Sequence, residues 1–508
     1  MTEVQHKLAQ ALKVLKDVQE RQQGVVQTGD LQEPDRLLLV EAGFLKPVIK
    51  GWYICANPND QPGDSTAWYV SYWVFLAAYL ASRFGSNYCL NPEASLKLHT
   101  GNTLVPEQMV VVTPQGGTST LSLPFGSSLL IYKDTRNFPR ERVCKKGLQV
   151  YTRTDSLCRL PPRAFQRYPH EVEIALGMMR DVGELLTVLL QRENMVSAAG
   201  RLIGALRFMH RDDDAQRVLE TMRLAGHKVR ETNPFTLAMP SLGKVGERSP
   251  YALRLASMWS SWRADVTDEF PVPPGLPDDK EEYLQDVDER YVADAYHSLS
   301  IEGYKVTEDL IERIARVGWN PERDVHDQED RNAMAAKGYQ QAFKAVRSDL
   351  IPILEGKNPG EICRKAHHRW YAELFAPSVA AGIIEPKELA GYRSGPVFIR
   401  NARHIPLAPE VLVDAMEMLF TLIEHEEHPA VRAVLGHHLL VFIHPWFDGN
   451  GRIGRFLMNA LLASGGYPWT VIKVEHRQAY MQALDEASSR GNIRPLTAFI
   501  AREMQERV

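Results

Sequence analysis

The sequence predicts a mainly α-helical C-terminal domain that follows an N-terminal half of α+β class. After residue 281, apolar residues recur mostly at helical spacing. Before residue 160, strand-like runs such as MVVVT and SLLIY alternate with helical patterns. Between the halves lies a Pro-rich linker at residues 270–280, with the run FPVPPGLPDD, which cannot continue a helix. We therefore expect the last domain to span residues 281–508.

The composition is that of an ordinary soluble globular protein. Of 508 residues, 44% are apolar and 24% are charged, and the net charge of −4 does not require nucleic acid as a global partner. The five scattered cysteines show no CxxC spacing, which argues against a disulfide framework and a cysteine-built zinc site. No signal-peptide pattern opens the chain, and its most apolar run is shorter than the roughly 20 residues that span a bilayer. We expect a cytoplasmic protein without membrane contact.

The first domain, residues 1–56, has the element order of a winged helix-turn-helix. Apolar residues from Leu8 to Val18 recur at helical spacing, and DRLLLVEAGFL is a second helix candidate. The residues PVIKGWYIC then read as two strands about a tight turn at Lys50-Gly51. Another kind of small α+β unit is the alternative interpretation. The acids Asp35 and Glu41 on the candidate recognition helix would weaken phosphate contact.

The pattern of residues 57–160 predicts a small α+β domain. The pattern of residues 161–250 predicts a helical connecting region, with a loop from Glu231 to Pro250. The stretches VEAGFLKPVIKGWYI and SLKLHTGNTLVPEQMVVVTP resemble the N-terminal part of AbiEi-type antitoxin regulators. In that family the module binds DNA. The resemblance therefore implies DNA as a partner of the winged helix.

The run IHPWFDGNGRIGR, residues 443–455, concentrates polar residues between two apolar segments. Pro445 disfavours helical geometry at His444, so we expect one helix to end there and the next to begin at about Arg452. An imidazole at the mouth of the intervening loop titrates near neutrality and suits a general base. His444 is therefore the candidate catalytic residue.

The same loop carries the parts of a phosphate site. Backbone N–H groups at a helix N-terminus, freed by glycines, bind anions, and arginines on the next turns add positive charge. An acid among phosphate ligands is best explained as a Mg²⁺ ligand. The sequence thus predicts phosphoryl or nucleotidyl transfer. The residues concerned are Asp448 for Mg²⁺ and Gly449, Asn450, Gly451, Arg452 and Arg455 for the nucleotide.

Three other structures or roles could explain the same residues. Asn450-Gly451 could form a hairpin turn, although its flanks are helical rather than alternating. Asp448 could open an EF-hand loop, but Arg452 occupies the fifth position and no Glu stands at the twelfth. His444 could also be a packed core histidine.

The motif resembles the Fic (fido) signature HPFx(D/E)GNGRxxR, with Trp446 in place of Phe. The resemblance extends over roughly 281–508 and implies a mostly helical domain that transfers AMP from ATP to a Ser, Thr or Tyr hydroxyl of a protein. It implies that His444 is the base, that Asp448 holds Mg²⁺, and that both arginines bind the ATP phosphates. The branch that phosphorylates its target carries Lys where this chain has Gly451, so the resemblance favours AMP transfer.

Further segments carry family features. SLSIEG matches the inhibitory motif (S/T)xxxE(G/N) through Ser298, Glu302 and Gly303, on a helix predicted at about 284–303. This implies self-inhibition by pairing of Glu302 with Arg455. The stretch YRSGPVFIRNARHIPLAP resembles the family's β-hairpin flap, which docks the target by strand addition. The assigned docking residues are Gly395, Pro396, Val397, Phe398 and Ile399, and Tyr480 of the downstream segment is assigned to the nucleotide.

The expected function is that of a self-inhibited protein adenylyltransferase that uses ATP and Mg²⁺. Two alternatives stay open. One is a DNA-binding regulator of antitoxin type whose Fic domain modifies itself. The other is removal of AMP from a modified target by the same pocket, with Glu302 placing a water. The protein target and a homodimeric state are also open.

Overall fold

The computed structural model describes residues 3–61, 63–136, 138–192, 194–235, 249–317 and 331–506. Part of the loop predicted between Glu231 and Pro250 therefore lies outside the described residues. The chain divides into two compact units. The first comprises Met1–Pro250 with Phe398–Ile405, and the second comprises Tyr251–Val397 with Pro406–Val508. Among the described residues, no helix has both the length and the apolar character needed to cross a membrane.

The first unit opens with two helices and a small antiparallel sheet of strand order β1-β3-β2. The predicted helices and the hairpin about Lys50-Gly51 are present, and apolar residues such as Leu15 and Leu39 form a core of their own. The elements are α1 (Glu3–Gln22), β1 (Val25–Gln27), a 3₁₀ turn (Thr28–Asp30), α2 (Glu33–Glu41), β2 (Leu45–Ile49) and β3 (Trp52–Cys55).

A mixed sheet follows, with strand order β4-β5-β7-β6. The predicted strands MVVVT and SLLIY are its central pair, and they run parallel to each other. Buried parallel strands read as nearly continuous apolar runs, which explains this pattern. The elements are α3 (Thr66–Phe84), β4 (Cys89–Leu90), α4 (Pro92–His99), β5 (Gln108–Thr113), β6 (Ser119–Ser122), β7 (Ser128–Lys133), β8 (Val143–Lys145), β9 (Leu148–Val150) and α5 (Arg153–Arg159).

Five short helices complete the described part of this unit between residues 162 and 224. They enclose an apolar core that includes Leu176, Leu202 and Met222. The predicted helical content of this region is therefore confirmed, and its helices are packed around their own core. The helices are α6 (Pro162–Arg167), α7 (Pro169–Gly177), α8 (Gly183–Gln191), α9 (Val196–Phe208) and α10 (Asp212–Leu224).

The described part of the second unit is α-helical and encloses one large apolar core. The predicted apolar face of the helix after the motif, from Ile453 to Leu461, lies at its centre and is fully buried. The helices are α11 (Pro250–Glu269), α12 (Lys280–Glu289), α13 (Tyr291–Ile301), α14 (Glu308–Val317), α15 (Arg331–Leu354), α16 (Pro359–Ala380), α17 (Leu412–His425), α18 (Pro429–Ile443), α19 (Asn450–Ala463), α20 (Arg477–Arg490) and α21 (Arg494–Gln505).

This unit begins near residue 251 rather than at the predicted border of 281. Helix α11 belongs to it because Trp259 and Trp262 are buried in the same core. The indole of Trp262 also donates to the Gly491 carbonyl at 2.9 Å. The Pro-rich segment 270–280 also belongs to the second unit, since the Gly275 N–H donates to the Gly465 carbonyl at 3.0 Å. Its proline content prevents a helix, and most of its side chains are exposed, but the segment lies within the second unit rather than at its border.

The predicted helix at about 284–303 is interrupted at Arg290, which ends α12 and precedes α13. The Arg290 guanidinium donates to Asp286 at 2.9 Å and to the Trp469 carbonyl at 3.3 Å. The contact with Asp286 is local, but the one with Trp469 depends on packing, and no glycine or proline marks the break in the sequence. Helix α13 ends at Ile301, with Glu302 as its C-cap and Gly303 in a left-handed conformation at φ +88°.

The flap segment departs from the predicted β-hairpin. The described residues 392–409 contain a turn closed by the Ala402 N–H on the Ile399 carbonyl at 3.2 Å, but no ladder joins the two arms. The outer arm pairs elsewhere within the first unit. The Val105 N–H donates to the Arg403 carbonyl at 3.1 Å, and the Ile405 N–H donates to the Thr103 carbonyl at 3.3 Å. Its backbone groups are therefore taken by distant residues.

Candidate active site

His444 caps the C-terminus of α18 in a left-handed conformation, with φ +56°. The helix ends where Pro445 requires it to end, as predicted. The ring nitrogen Nδ1 lies 3.2 Å from the Val441 carbonyl. A carbonyl can only accept, so Nδ1 carries the proton and Nε2 is the acceptor nitrogen. Burial lowers the pKa of His444 below its ordinary value, which keeps the imidazole neutral at pH 7.

The loop between α18 and α19 is held by its own side chains and by close packing. The Asn450 amide accepts from the Trp446 N–H at 3.0 Å and donates to the Trp446 carbonyl at 2.8 Å. Gly449 has φ +82° and is the N-cap of α19, where a Cβ would lie 2.8 Å from Phe375. Helix α19 therefore begins at Asn450, earlier than the predicted start at about Arg452, because the left-handed glycine already completes the turn.

Arg452 is buried between two aromatic rings. Its guanidinium carbon lies 5.2 Å from the Tyr304 ring and 5.1 Å from the Phe375 ring. Its Nη2 lies 3.1 Å from Asp448 Oδ1, but the geometry of this ion pair is not that of a hydrogen bond. Among the described residues, Nε and Nη2 have no hydrogen-bond partner. Buried donors that have no acceptor are typical of a site that receives an anion.

Arg455, on the next turn of α19, is in contact with the end of α13. Its Nε donates to Ser298 Oγ at 2.7 Å, and its Nη2 donates to the Ser298 carbonyl at 3.0 Å. Nη2 also donates to Glu302 Oε1 at 2.8 Å. In the described part of the chain, Nη1 is buried without a hydrogen-bond partner. The structure thus brings Glu302 to Arg455, the pairing that the family resemblance implies, and it adds contacts from Ser298 that the sequence did not predict.

Gly451 lies where these groups meet. A Cβ at this position would lie 2.3 Å from Glu302 Oε1 and 3.2 Å from Arg455 Nη1. Any side chain here would therefore displace Glu302 from its contact with Arg455. Gly303, the last residue of the predicted inhibitory motif, has open space around its Cα and is explained by its positive φ alone.

Asp448 lies at the exposed end of the loop, where its side chain is 54% exposed. Its Oδ1 accepts from the Gly449 N–H at 2.6 Å and is also the atom nearest Arg452. Both of these contacts use one oxygen, so Oδ2 is suited to a hard cation. Mg²⁺ takes few protein ligands beside substrate phosphates and waters, so a single carboxylate fits it.

The comparison with protein families identifies this region. Residues 361–462, from α16 to α19, match the family described as Fic/DOC. The chain carries a Fic/DOC domain.

Relatives with this domain are named protein adenylyltransferase Fic. The one from Nematostella vectensis is 34% identical over 221 residues, which are 42% of this chain and 47% of the relative. The one from Aedes aegypti is 32% identical over 222 residues, 42% of this chain and 40% of the relative. The match therefore spans less than half the length of these relatives. Among solved structures, Fic-1 (residues 134–508) from C. elegans has a TM-score of 0.37 and 18% identity, covering 69% of this chain and 88% of that one.

Tyr480, on α20 and beyond the residues that match the Fic/DOC family, lies in the core with 1% of its surface exposed. Its hydroxyl is 2.7 Å from His437 Nε2, and it lies beside Arg455. Burial raises the pKa of Tyr480 to about 12, so the phenol stays protonated. A direct contact with the nucleotide, which the resemblance predicts, would need this side chain to become exposed.

Arg393 is a buried residue of the domain that sequence reasoning missed. Its Nε donates to the His444 carbonyl at 2.8 Å, and its backbone N–H donates to the Pro445 carbonyl at 2.9 Å. Its Nη1 donates to the Gly395 carbonyl at 2.8 Å, and its Nη2 donates to the Leu407 carbonyl. Arg393 therefore ties the flap segment to the backbone of His444. A lone arginine in a loop has no pattern that would reveal such a role.

The predicted docking residues are divided between the two units. Gly395, Pro396 and Val397 belong to the second unit, and Phe398 and Ile399 to the segment that joins the first. A Cβ at Gly395 would lie 3.4 Å from the ring of Phe447, which is 48% exposed. Phe447 is thus an exposed wall beside the start of the flap segment.

We predict that Arg393→Met lowers the free energy of unfolding by about 2 kcal/mol or more, because buried carbonyls lose a charged donor. Urea unfolding of the full chain measures this. The control is Arg369→Met, which removes an ion pair with Asp349 from a side chain that is 53% exposed. Exposed pairs contribute about 0–1 kcal/mol. Equal midpoints for the two variants would contradict the structural role of Arg393.

Proposed function

We propose that this chain transfers AMP from ATP to a hydroxyl group of a protein. The observation that carries the proposal is the pair of buried arginines, Arg452 and Arg455, whose guanidinium nitrogens include donors without a partner in the described structure. They lie on the first turns of α19, after the loop that begins at His444, whose imidazole is a neutral acceptor. The adenylyltransferase name of the relatives supports the same assignment.

In this reaction the target hydroxyl oxygen forms a bond to the α-phosphorus of ATP, and the bond from that phosphorus to the bridging oxygen breaks, releasing pyrophosphate. His444 Nε2 accepts the hydroxyl proton. The N–H groups of the α19 N-terminus and the two arginines bind the phosphate oxygens. Asp448 would hold Mg²⁺, which when bound neutralises phosphate charge. Gly451 favours AMP transfer over phosphorylation through the family resemblance.

We further propose that Glu302 inhibits this activity. Its carboxylate takes a donor of Arg455 that a phosphate would otherwise use, and it adds negative charge where the phosphates must lie. ATP bound in spite of this contact would be displaced, and a misplacement of about 1 Å can cost about 10²-fold in rate. Removal of AMP from a modified target by the same residues is the alternative, with Glu302 orienting a water.

A second candidate function comes from the first residues of the chain. The order of α1, β1, the 3₁₀ turn, α2 and the hairpin, with strand order β1-β3-β2, favours a winged helix. On α2, however, Glu33 and Glu41 are exposed and Leu37 is 59% exposed. Acids at this surface repel phosphates, so DNA is a weaker proposal than a protein target.

We predict that His444→Ala, made in the Glu302→Gly chain, lowers AMP transfer by about 10²–10⁴-fold while ATP still binds. The reason is that the imidazole acts on the hydroxyl and not on the phosphates. Because burial lowers the pKa of His444, the acidic limb of the pH–rate profile should lie below 6.5 when His444 is present. Labelled-ATP transfer and calorimetric ATP binding are the two measurements. Turnover within a few-fold of the parent would rule out the base assignment.

We predict that Asp448→Ala abolishes the Mg²⁺ dependence of productive ATP binding. The Glu302→Gly chain with and without this change is titrated with Mg²⁺ at fixed ATP. Asp414→Ala, on the first turn of α17, is the control, since that acid lies outside the loop. Overlapping titration curves for Asp448→Ala and its parent would place the metal elsewhere.

We predict that Glu302→Gly raises auto-modification with labelled ATP, because it frees Arg455 Nη2. Arg455→Ala should be inactive, also when combined with Glu302→Gly, since the phosphate ligand itself is removed. Glu308→Gly, which removes an exposed acid on the first turn of α14, is the control and should match the parent. Equal labelling of parent and Glu302→Gly would contradict inhibition by Glu302.

We predict that the full chain shows no salt-sensitive shift of a short duplex DNA. A shift that disappears between 50 and 200 mM salt, as phosphate contacts require, would instead favour the DNA-binding candidate. Glu33→Lys combined with Glu41→Lys is the positive control, because it reverses the charge of the exposed α2 face.

A further inference from the structure

Helix α13 carries a buried acid that neither the motif nor the proposed chemistry uses. Asp294 is 3% exposed and lies one turn before Ser298 on the same helix. The hydroxyl of Tyr339, on α15, donates to Asp294 Oδ2 at 2.7 Å. Tyr339 is itself fully buried. A carboxylate this deep in an apolar core is costly and needs an explanation.

Polar groups lead from Arg455 toward Asp294. Arg455 Nε donates to Ser298 Oγ at 2.7 Å, and at the other end the Tyr339 hydroxyl donates to Asp294 Oδ2 at 2.7 Å. Ser298 is also an electrostatic neighbour of Tyr339. Because the Tyr339 proton is directed to Asp294, a hydrogen bond between the two hydroxyls would have Ser298 as its donor. The donors would then all point from the cation toward the anion, and such chains polarise one another.

Ser298 accepts more of the hydrogen bonds from Arg455 than Glu302 does, although only Glu302 brings an opposite charge. Ser298 accepts two of the three hydrogen bonds described above, one through Oγ and one through its carbonyl, and Glu302 accepts the third. The acceptor strength of Ser298 Oγ depends on how firmly its proton is drawn toward Tyr339. The charge of Asp294 sets that strength from the far end of the chain.

We propose that Asp294, acting through Tyr339 and Ser298, is a positioning residue that sets how tightly α13 holds Arg455. The inference rests on the proposed function, because it assumes that Arg455 must be released for ATP. Loss of the Asp294 charge weakens the inhibitory contact even when Glu302 is intact. Inhibition is therefore graded by a residue outside the inhibitory motif.

The surroundings of Asp294 make this contact sensitive to pH. Burial raises the pKa of Asp294 to about 6, and Tyr339, Arg455 and Trp469 partly oppose the shift. Tyr291, on the same helix, is a further titratable group near it, and burial raises the pKa of that phenol, so it stays neutral. Asp294 takes up a proton as pH falls through about 6, which removes the negative end of the chain. Inhibition should be relaxed below that pH.

The experiment measures auto-modification with labelled ATP in full-length parent, Asp294→Asn, Tyr339→Phe and Glu302→Gly. Asp294→Asn keeps the size and removes the charge. We expect it to raise labelling about 2- to 10-fold, the effect of weakening one hydrogen bond, and Tyr339→Phe to act in the same direction. Asp286→Asn, a half-exposed acid paired with Arg290 on α12, is the matched control and should equal the parent.

A pH series separates positioning from a structural effect. Parent labelling is divided by Glu302→Gly labelling at each pH, which cancels the titration of His444. The ratio should rise as pH falls from 7 to 5.5 in the parent and stay level in Asp294→Asn. A merely destabilised helix would show no such difference between the two chains.

The experiment distinguishes a failure of the proposed function from a failure of the role of Asp294. If Glu302→Gly is inactive as well, the proposed function fails. If Glu302→Gly is active while Asp294→Asn and Tyr339→Phe label no more than the parent, the role of Asp294 is overturned. If Asp294→Asn does not fold, the proposal is tested by the labelling of Tyr339→Phe and by the pH series of the parent. A ratio of parent to Glu302→Gly labelling that does not change between pH 7 and 5.5 overturns the proposal.

Discussion

The burial of two guanidinium groups is the constraint on which the second unit depends. Arg452 and Arg455 are 1% and 3% exposed on a helix whose other face is the centre of the core. A buried charge is tolerated only with charged or polar partners. Arg455 has Ser298 and Glu302, and Arg452 has Asp448 and two aromatic rings. The elements that carry these partners must therefore pack at the two arginines.

The same constraint explains why small residues surround the site. Gly449 allows Phe375 to approach the N-terminus of α19, and Gly451 leaves the space that the Glu302 carboxylate occupies. With side chains at these positions, the loop could not bring phosphate-binding amides and the arginines to one place. The Glu302 carboxylate thus lies against the N-terminus of α19, within contact of the space beside Gly451. Under the proposed function, inhibition and nucleotide binding would compete for the same volume as well as the same charge.

The position of the catalytic histidine depends on a contact outside the motif. His444 ends α18 by local sterics, but its carbonyl is bonded to Arg393. That guanidinium also donates to the Gly395 and Leu407 carbonyls, so the flap segment and the backbone of His444 share one support. The role of Arg393 resembles the one proposed for Asp294, because each is bonded to a group behind a candidate site residue.

The sequence by itself determined the features that arise between chain neighbours. Pro445 ends α18, a left-handed glycine begins α19, and the spacing from Ile453 to Leu461 makes a buried face. Local sterics and periodicity act within a few residues, so they can be read in order. Tertiary structure alone decided the contact of Arg290 with the Trp469 carbonyl at the break before α13, the pairing of residues 403–405 with residues 103–105, and the contacts of Asp294 and Arg393. These join residues distant in the chain, and only packing determines which distant groups satisfy one another.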